Sequence, residues 1–288
     1  MPSRRSVLRG LVLLSTFVPT LVVTAPQAFG FTFTTIDVPK AKETGVHGIN
    51  ARGEIVGHYL DATQDLHGFL LRNGVFTTID VPHARLTVAL GINERGQIVG
   101  FYDDATRHTR GFLLNNQVFT IINYTSKIVP RAFTTEAWGI NARGEIVGRY
   151  VFEAVHGFLR NNRGFTRIDP PGARHTEAHG INGGQIVGQY TDNSGTHGFL
   201  LNNGRFTTID VPGARSTDLR GINARGQIVG TYFAAGSSHS FLLNNGRFAI
   251  INVPGARSTG VHGINAQGQI VGHYEDATQR RHGFLASP

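Results

Sequence analysis

The chain has no cysteine, one methionine, one tryptophan and only three lysines among its 27 basic residues. Without cysteine there is no disulfide, no lipid-modified cysteine and no thiolate chemistry. Charged residues make up a low 16%. After residue 30 no stretch carries a helical period, so that region reads as all-β. Also missing are Gly-x-Ser-x-Gly, His-Glu-x-x-His and a phosphate-binding loop, which removes three common signatures of hydrolases, metalloproteases and nucleotide enzymes. What is abundant is glycine, at 37 residues, pointing to many turns and close backbone approaches. A hydrophobic content of 40% is enough to build a core.

The first thirty residues differ from the rest. Ser3-Arg4-Arg5-Ser6-Val7-Leu8-Arg9 is a twin-arginine pattern, followed by an apolar run from Leu11 to Val23 and then small residues. That is the layout of an export signal. Ala28-Phe29-Gly30 predicts cleavage after Gly30, whereas cleavage after Ala25 would put Pro26 next to the scissile bond. The run is interrupted by Pro19 and is shorter than the ~20 residues that span a bilayer, so it reads as a cleaved leader rather than an anchor. The expected organisation is a leader over 1–30 and one domain over 31–288, placed in the periplasm or outside the cell. A domain of that size needs no disulfide staples. The net charge of +8 includes Arg4, Arg5 and Arg9 of the leader, leaving a moderately basic domain. Export argues against nucleic acid as its partner.

A unit repeats from there to the end: Gly-Ile-Asn, a short turn, Ile-Val-Gly, a variable gap, His-Gly-Phe-Leu, and Phe-Thr-Thr-Ile-Asp. Copies start at Gly48, Gly91, Gly139, Gly180, Gly221 and Gly263, and the longest spacing holds an insertion around Tyr124 to Thr135. Periods near 40 residues with strand-like content predict propeller blades of four strands. In the first unit the strands are expected at Val46–Ile49, Glu54–Tyr59, His67–Leu71 and Val75–Val81. Asn50-Ala51-Arg52-Gly53 and Asn73-Gly74 supply the turns. Ile55-Val56 and Phe69-Leu70-Leu71 are continuous apolar runs, as expected where both sheet faces are covered. The last unit has three strands, and Phe33-Thr34-Thr35-Ile36-Asp37 at the front matches the missing fourth. The prediction is a six-bladed β-propeller whose last blade is closed by the N-terminal strand, which removes an exposed edge. An open β-solenoid is the alternative.

The unit G-I-N-x-x-G-x-I-V-G, H-G-F-L, F-x-x-I-D-x-P-G-A resembles the bacterial extracellular HAF-repeat family over roughly residues 31–288. The family's His-Ala-Phe element is represented here by His-Gly-Phe. The departures are Arg110 for the His in unit two, Ser240 for the Gly after His239, and Asn123 and Asn252 for the Asp. The resemblance implies an exported propeller and carries no activity, cofactor or catalytic residue with it.

Candidate site residues fall in columns of the repeat. After the proline that ends each fourth strand comes a basic residue: Lys42, Arg85, Arg131, Arg174, Arg215 and Arg257. In a propeller these blade-to-blade loops share one face, so six cations are expected around one mouth, suited to carboxylate or phosphate. On the strand expected to line the channel, His47, His179 and His262 precede Gly-Ile-Asn, where the other units carry Leu90, Trp138 and Arg220. His47, Trp138, His179, Arg220 and His262 are therefore the channel-lining candidates. The histidines, with the second column His67, His156, His197, His239 and His282, read as structural, each bonding backbone in its own blade. The aspartates Asp37, Asp80, Asp169 and Asp210 read as turn caps for backbone N–H groups. The run Asp192-Asn193-Ser194-Gly195 clusters oxygen ligands but completes no calcium loop.

No metal, cofactor or catalytic set is assigned. The function expected is an exported, monomeric, non-catalytic binding propeller that recognises an anionic polysaccharide or a protein, with no membrane attachment after cleavage. The alternative is a glycan lyase or hydrolase at the channel mouth, and it requires non-repeated residues such as Glu136, Trp138, Glu177 and Arg220 to converge there.

Overall fold

A computed structural model describes residues 30–126, 129 and 132–288. The leader up to residue 29, and Arg131, lie outside the described residues. Every described element is a strand. β1 is Thr32–Ile36. The first unit forms β2 (Glu43–Ile49), β3 (Ile55–Leu60), β4 (Leu66–Arg72) and β5 (Val75–Ile79). The second forms β6 (Leu86–Ile92), β7 (Ile98–Asp103), β8 (Thr109–Asn115) and β9 (Val118–Ile122), and the third β10 (Thr134–Ile140), β11 (Ile146–Phe152), β12 (Ala154–Asn161) and β13 (Gly164–Ile168). β14 (His175–Asn182) to β17 (Arg205–Ile209) follow, with β15 at Gln185–Thr191 and β16 at Thr196–Asn202. Unit five is β18 (Ser216–Ile222), β19 (Ile228–Ala234), β20 (Ser237–Asn244) and β21 (Arg247–Ile251), and unit six β22 (Ser258–Ile264), β23 (Ile270–Glu275) and β24 (Arg281–Ser287).

Each unit is an antiparallel meander, and the fold is a β-propeller arrangement of four-stranded blades. Units one, two and three each form a separate four-stranded sheet, and a fourth such sheet has the order β1-β24-β23-β22. In it β1 pairs with β24 from Thr32↔Ser287 to Ile36↔Gly283. Units four and five do not separate. They share one eight-stranded sheet, because a single parallel pair, Thr196↔Ser216, bridges β16 to β18.

The core lies between units. Six clusters are found among the described residues, and each takes the valine of Ile-Val-Gly from the preceding unit. Val56 joins the cluster of Ile92, Ile98 and Phe112. Val99 joins that of Ile146 and Phe158, Val147 that of Ile186 and Phe199, and Val187 that of Ile228 and Phe241. Val229 packs with Ile270 and Phe284, and Val271 with Ile55 and Phe69. This explains the continuous apolar runs: both faces of each sheet meet a neighbour.

The asparagine of Gly-Ile-Asn ties these layers at one end of the axis. Asn50 Oδ1 accepts the N–H groups of Arg52 and Glu54, and its Nδ2 donates to the Asn93 carbonyl at 3.1 Å. Asn93 donates to the Asn141 carbonyl, Asn141 to that of Gly183, and Asn223 to that of Asn265. Unit four departs from this pattern. Its turn is the two-residue Gly183-Gly184, one residue shorter, so Asn182 stays in β14 and makes no such bond.

Candidate functional site

The inner strand of every unit carries a β-bulge at the residue before Gly-Ile-Asn. The pairing registers skip from Val46 to Gly48, Ala89 to Gly91, Ala137 to Gly139, Ala178 to Gly180, Leu219 to Gly221 and Val261 to Gly263. The skipped residues are His47, Leu90, Trp138, His179, Arg220 and His262. A bulge re-aims its side chain, and here all six side chains line one cavity of about 400 Å³ with His58, Leu66, Val88, Phe101 and Glu136. The channel-lining candidates of the sequence thus meet at one place. The glycine after each bulge allows the approach: a Cβ on Gly48 would lie 2.7 Å from the Leu90 carbonyl oxygen.

Units three to five supply a charged sector. Trp138 Nε1–H donates to Glu136 Oε2 at 2.9 Å, and its ring stacks on His179 with centroids 4.3 Å apart. Arg149 bridges Glu136, at 2.8 Å, and Glu177. Glu177 also accepts from Gln189 at 2.8 Å and lies 3.3 Å from His179 Nε2. His179 Nδ1 lies 3.1 Å from the Leu219 carbonyl and 2.9 Å from Asp218 Oδ1, and Arg220 pairs with Asp218 Oδ2. Burial works against the charge of each group but loses to the partners. His179 is raised above the usual histidine range by Asp218 and Glu177. Glu177 is held well below the carboxylate range by His179 and Arg149, and Asp218 is lowered by Arg220 and His179. These partly buried charges are ionised because each is paired with an opposite one.

Units one and six supply a neutral sector. His47 Nε2 bonds His58 Nδ1 at 2.8 Å, His262 Nε2 bonds His273 Nδ1 at 2.9 Å, and the rings of His47 and His262 sit 4.7 Å apart. Gly45 and Gly260 make room, since a Cβ on either would come within 2.7 Å of the facing imidazole. Burial first, then the neighbouring histidines, pushes His47 and His262 well below the usual range. Burial with Arg281 takes His58 and His273 to about 4. The four rings are neutral at pH 7. Among the described residues no group of three or more His, Asp or Glu is arranged to hold a metal ion. Unit two adds an apolar wall of Val88, Leu90 and Phe101, with Leu66 of unit one.

Three sequence expectations change. The first-column histidines do not bond backbone in their own blade: two bond a second histidine, and His179 reaches the next unit. The strand-end aspartates act mainly as histidine partners rather than turn caps: Asp80, Asp169, Asp210 and Asp37 hold His67, His156, His197 and His282 at 2.7–2.9 Å, and Asp210 also accepts the Gly198 N–H, whereas Oδ1 of Asp37 and of Asp169 is buried without a hydrogen-bond partner. A tyrosine of the second strand packs on each of these rings, as Tyr59 does on His67, so this column is structural. The cation column breaks in unit three. The backbone bond that Arg85 N–H makes to Asp103, and Arg174 N–H to Thr191, is made there by Phe133 N–H to Val151. The insertion has shifted the frame, and the exposed Phe133 takes the place expected of Arg131. Lys42, Arg85, Arg174, Arg215 and Arg257 are exposed on the loop face and form no ion pair among the described residues. The Asp192 loop is a turn whose carboxylate accepts from Ser194 N–H and Oγ–H.

Sequence reasoning missed His58, Phe101, Arg149, Gln189 and His273. They share one column after Ile-Val-Gly and face the residues two before each bulge: Gly45↔His58, Val88↔Phe101, Glu136↔Arg149, Glu177↔Gln189 and Gly260↔His273. The available signal was variation at this column between near-invariant neighbours. Two buried polar atoms of the charged sector, Arg149 Nε and Arg220 Nε, have no hydrogen-bond partner.

No family model matches the chain, and no curated protein aligns with it. Solved structures do match in fold. TolB from Acinetobacter baumannii is 12% identical, with 81% of this chain and 63% of that chain covered and a TM-score of 0.59. The β-propeller domain of the Trilobed protease from Pyrococcus furiosus is 11% identical over 85% of this chain and 94% of that one, at 0.54. A virginiamycin B lyase from Staphylococcus aureus is 12% identical over 90% of this chain and all of that one, at 0.50. At such identities the likeness concerns the fold alone. Among the described residues no helix is long and apolar enough to cross a membrane.

Proposed function

We propose that this is an exported, non-catalytic binding propeller of the HAF-repeat type that captures an anionic glycan on its loop face, with the axial pocket at the centre of that face. In this reading the eight-stranded sheet counts as two blades, the ring has six, and β1 completes the last. The Asn265-to-Asn50 bond and the Val271 packing support such a ring. The twin-arginine leader over 1–30 delivers the folded domain to the periplasm or beyond.

One observation carries the binding reading: the residues that break the repeat converge on a single pocket, on the face that also bears Lys42, Arg85, Arg174, Arg215 and Arg257. Exposed cations around a concave mouth attract polyanions and raise their local concentration. The alternative, a glycan lyase or hydrolase, has its candidate residues in place but lacks their chemistry. Glu136 and Glu177 are both committed to Arg149, and Glu177 is held far below the range of a general acid.

The test is binding of the purified protein to a polyuronate at low and high salt. Affinity is expected to fall steeply with salt, and by tenfold or more in the triple variant R174A/R215A/R257A. Salt-insensitive binding, or none, would sink the anionic-glycan reading, and capture of a protein instead would replace it.

A further inference from the structure

Around the axis the six bulge residues follow one another in unit order, each glycine abutting the carbonyl of the next bulge residue from Leu90 through to His47. Arg220 of unit five therefore stands three places from Leu90 of unit two, on the opposite wall. One wall is apolar: Leu66, Val88, Leu90 and Phe101. The other presents a guanidinium whose one ion pair, to Asp218, uses Nη2. Its Nη1 makes no hydrogen bond with any described residue, and its Nε is buried without a partner.

The remaining charged groups of the pocket are committed. Arg149 holds two carboxylates, and His179 lies between Glu177 and Asp218. Trp138 has given its N–H to Glu136. The four imidazoles of units one and six are occupied in pairs. No carboxylate is left to receive a cationic ligand, whereas Arg220 has donors left over for an anionic one. In a pocket whose other charged groups are already paired with one another, an unsatisfied guanidinium donor is a strong attractor for a carboxylate.

We infer that the axial pocket is a seat for one small amphipathic carboxylate, its anionic head on Arg220 and its apolar body against Leu66, Val88, Leu90 and Phe101. The inference rests on the loop face being the binding face, and it specifies what the centre of that face takes. Such a molecule is a free ligand or the modified end of a larger chain, and the cations outside the pocket draw either toward it.

Trp138 is the single tryptophan of the chain, so its fluorescence reports this pocket alone. The probes are 4-phenylbutyrate, its neutral amide 4-phenylbutanamide, and butyrate. A saturable change in emission is expected with 4-phenylbutyrate, with affinity at least tenfold weaker for the amide and for butyrate. Arg220→Gln should weaken the carboxylate at least tenfold and leave the amide unchanged, and Leu90→Asn should weaken the phenyl compounds but not butyrate. The amide comparison uses the native protein and decides the matter even if Arg220→Gln fails to fold. Equal binding of acid and amide, or no saturable response to any of the three, overturns the inference. Salt-sensitive polyuronate binding alongside that failure would leave the wider reading standing, and the reverse pattern would keep the seat and remove the polymer.

Discussion

Asn265 donates through Nδ2 to the main-chain carbonyl of Asn50, 3.1 Å away, joining residues 215 positions apart in sequence. The same bond links units one to two, two to three, three to four and five to six, always from a buried side chain to a backbone acceptor. Replacing Asn50 or Asn265 by alanine leaves two turn N–H groups and one carbonyl without partners. Each change should cost about 2–3 kcal/mol, read from denaturant unfolding. Asn182→Ala should cost under about 1 kcal/mol, because Asn182 makes no such bond. Equal losses at all three positions would refute the role given to the seam.

Close approach of the inner strands sets a second expectation. A Cβ on Gly139 would lie 2.6 Å from the His179 carbonyl oxygen, a backbone atom that cannot swing away. Gly139→Ala should lose more than about 3 kcal/mol or fail to fold. Gly184→Ala, with nothing within 4 Å of the new methyl, should stay within about 0.5 kcal/mol of the parent.

The pair His282–Asp37, at 2.8 Å, connects the last strand to the first. Asp37→Ala should loosen β1 before the rest of the molecule. Amide exchange over Thr32–Ile36 is expected to accelerate, with a global loss of about 1–2 kcal/mol. Unchanged exchange in β1 would mean that its backbone ladder alone holds it.

Acid should act first on the four-histidine sector. His58 and His273 protonate near 4 in the folded protein, against 6.5 as the ordinary value. Because the unfolded chain takes up these protons first, their contribution is whole above about pH 6.5 and is lost as the pH falls toward 4. The loss amounts to about 3 kcal/mol per ring. Glu177 and Asp218, lowered in the fold, lose theirs in the same direction at lower pH. His179, raised in the fold, opposes this trend: its contribution is present below about pH 6.5 and fades as the pH rises through its folded value. Thermal unfolding between pH 7 and 4 should therefore show a falling Tm. H58Q/H273Q, using the residue that unit four carries at this column, should flatten it. A slope unchanged in that variant would rule the histidines out.

Strand content, the six units, the meander within each and the column that lines the cavity can all be read from the residues in order. These follow from local chemistry repeated often enough to be read: Asn-Gly turns, apolar runs bounded by glycine, and one position before each Gly-Ile-Asn that refuses to repeat. The turn asparagines and the split between a front strand and a three-stranded last unit were legible for the same reason. Which side chains meet in the cavity is set by the packing of the strands in three dimensions. That Glu136 and Glu177 share Arg149, that His47 pairs with His58, and that Arg220 faces Leu90 depend on contacts between residues from 11 to 130 positions apart on different strands, which no local pattern encodes. The insertion in unit three shows the limit most plainly. Counting from proline put Arg131 in the cation column, but backbone hydrogen bonding puts Phe133 there, because a strand takes its register from its partner rather than from the loop before it.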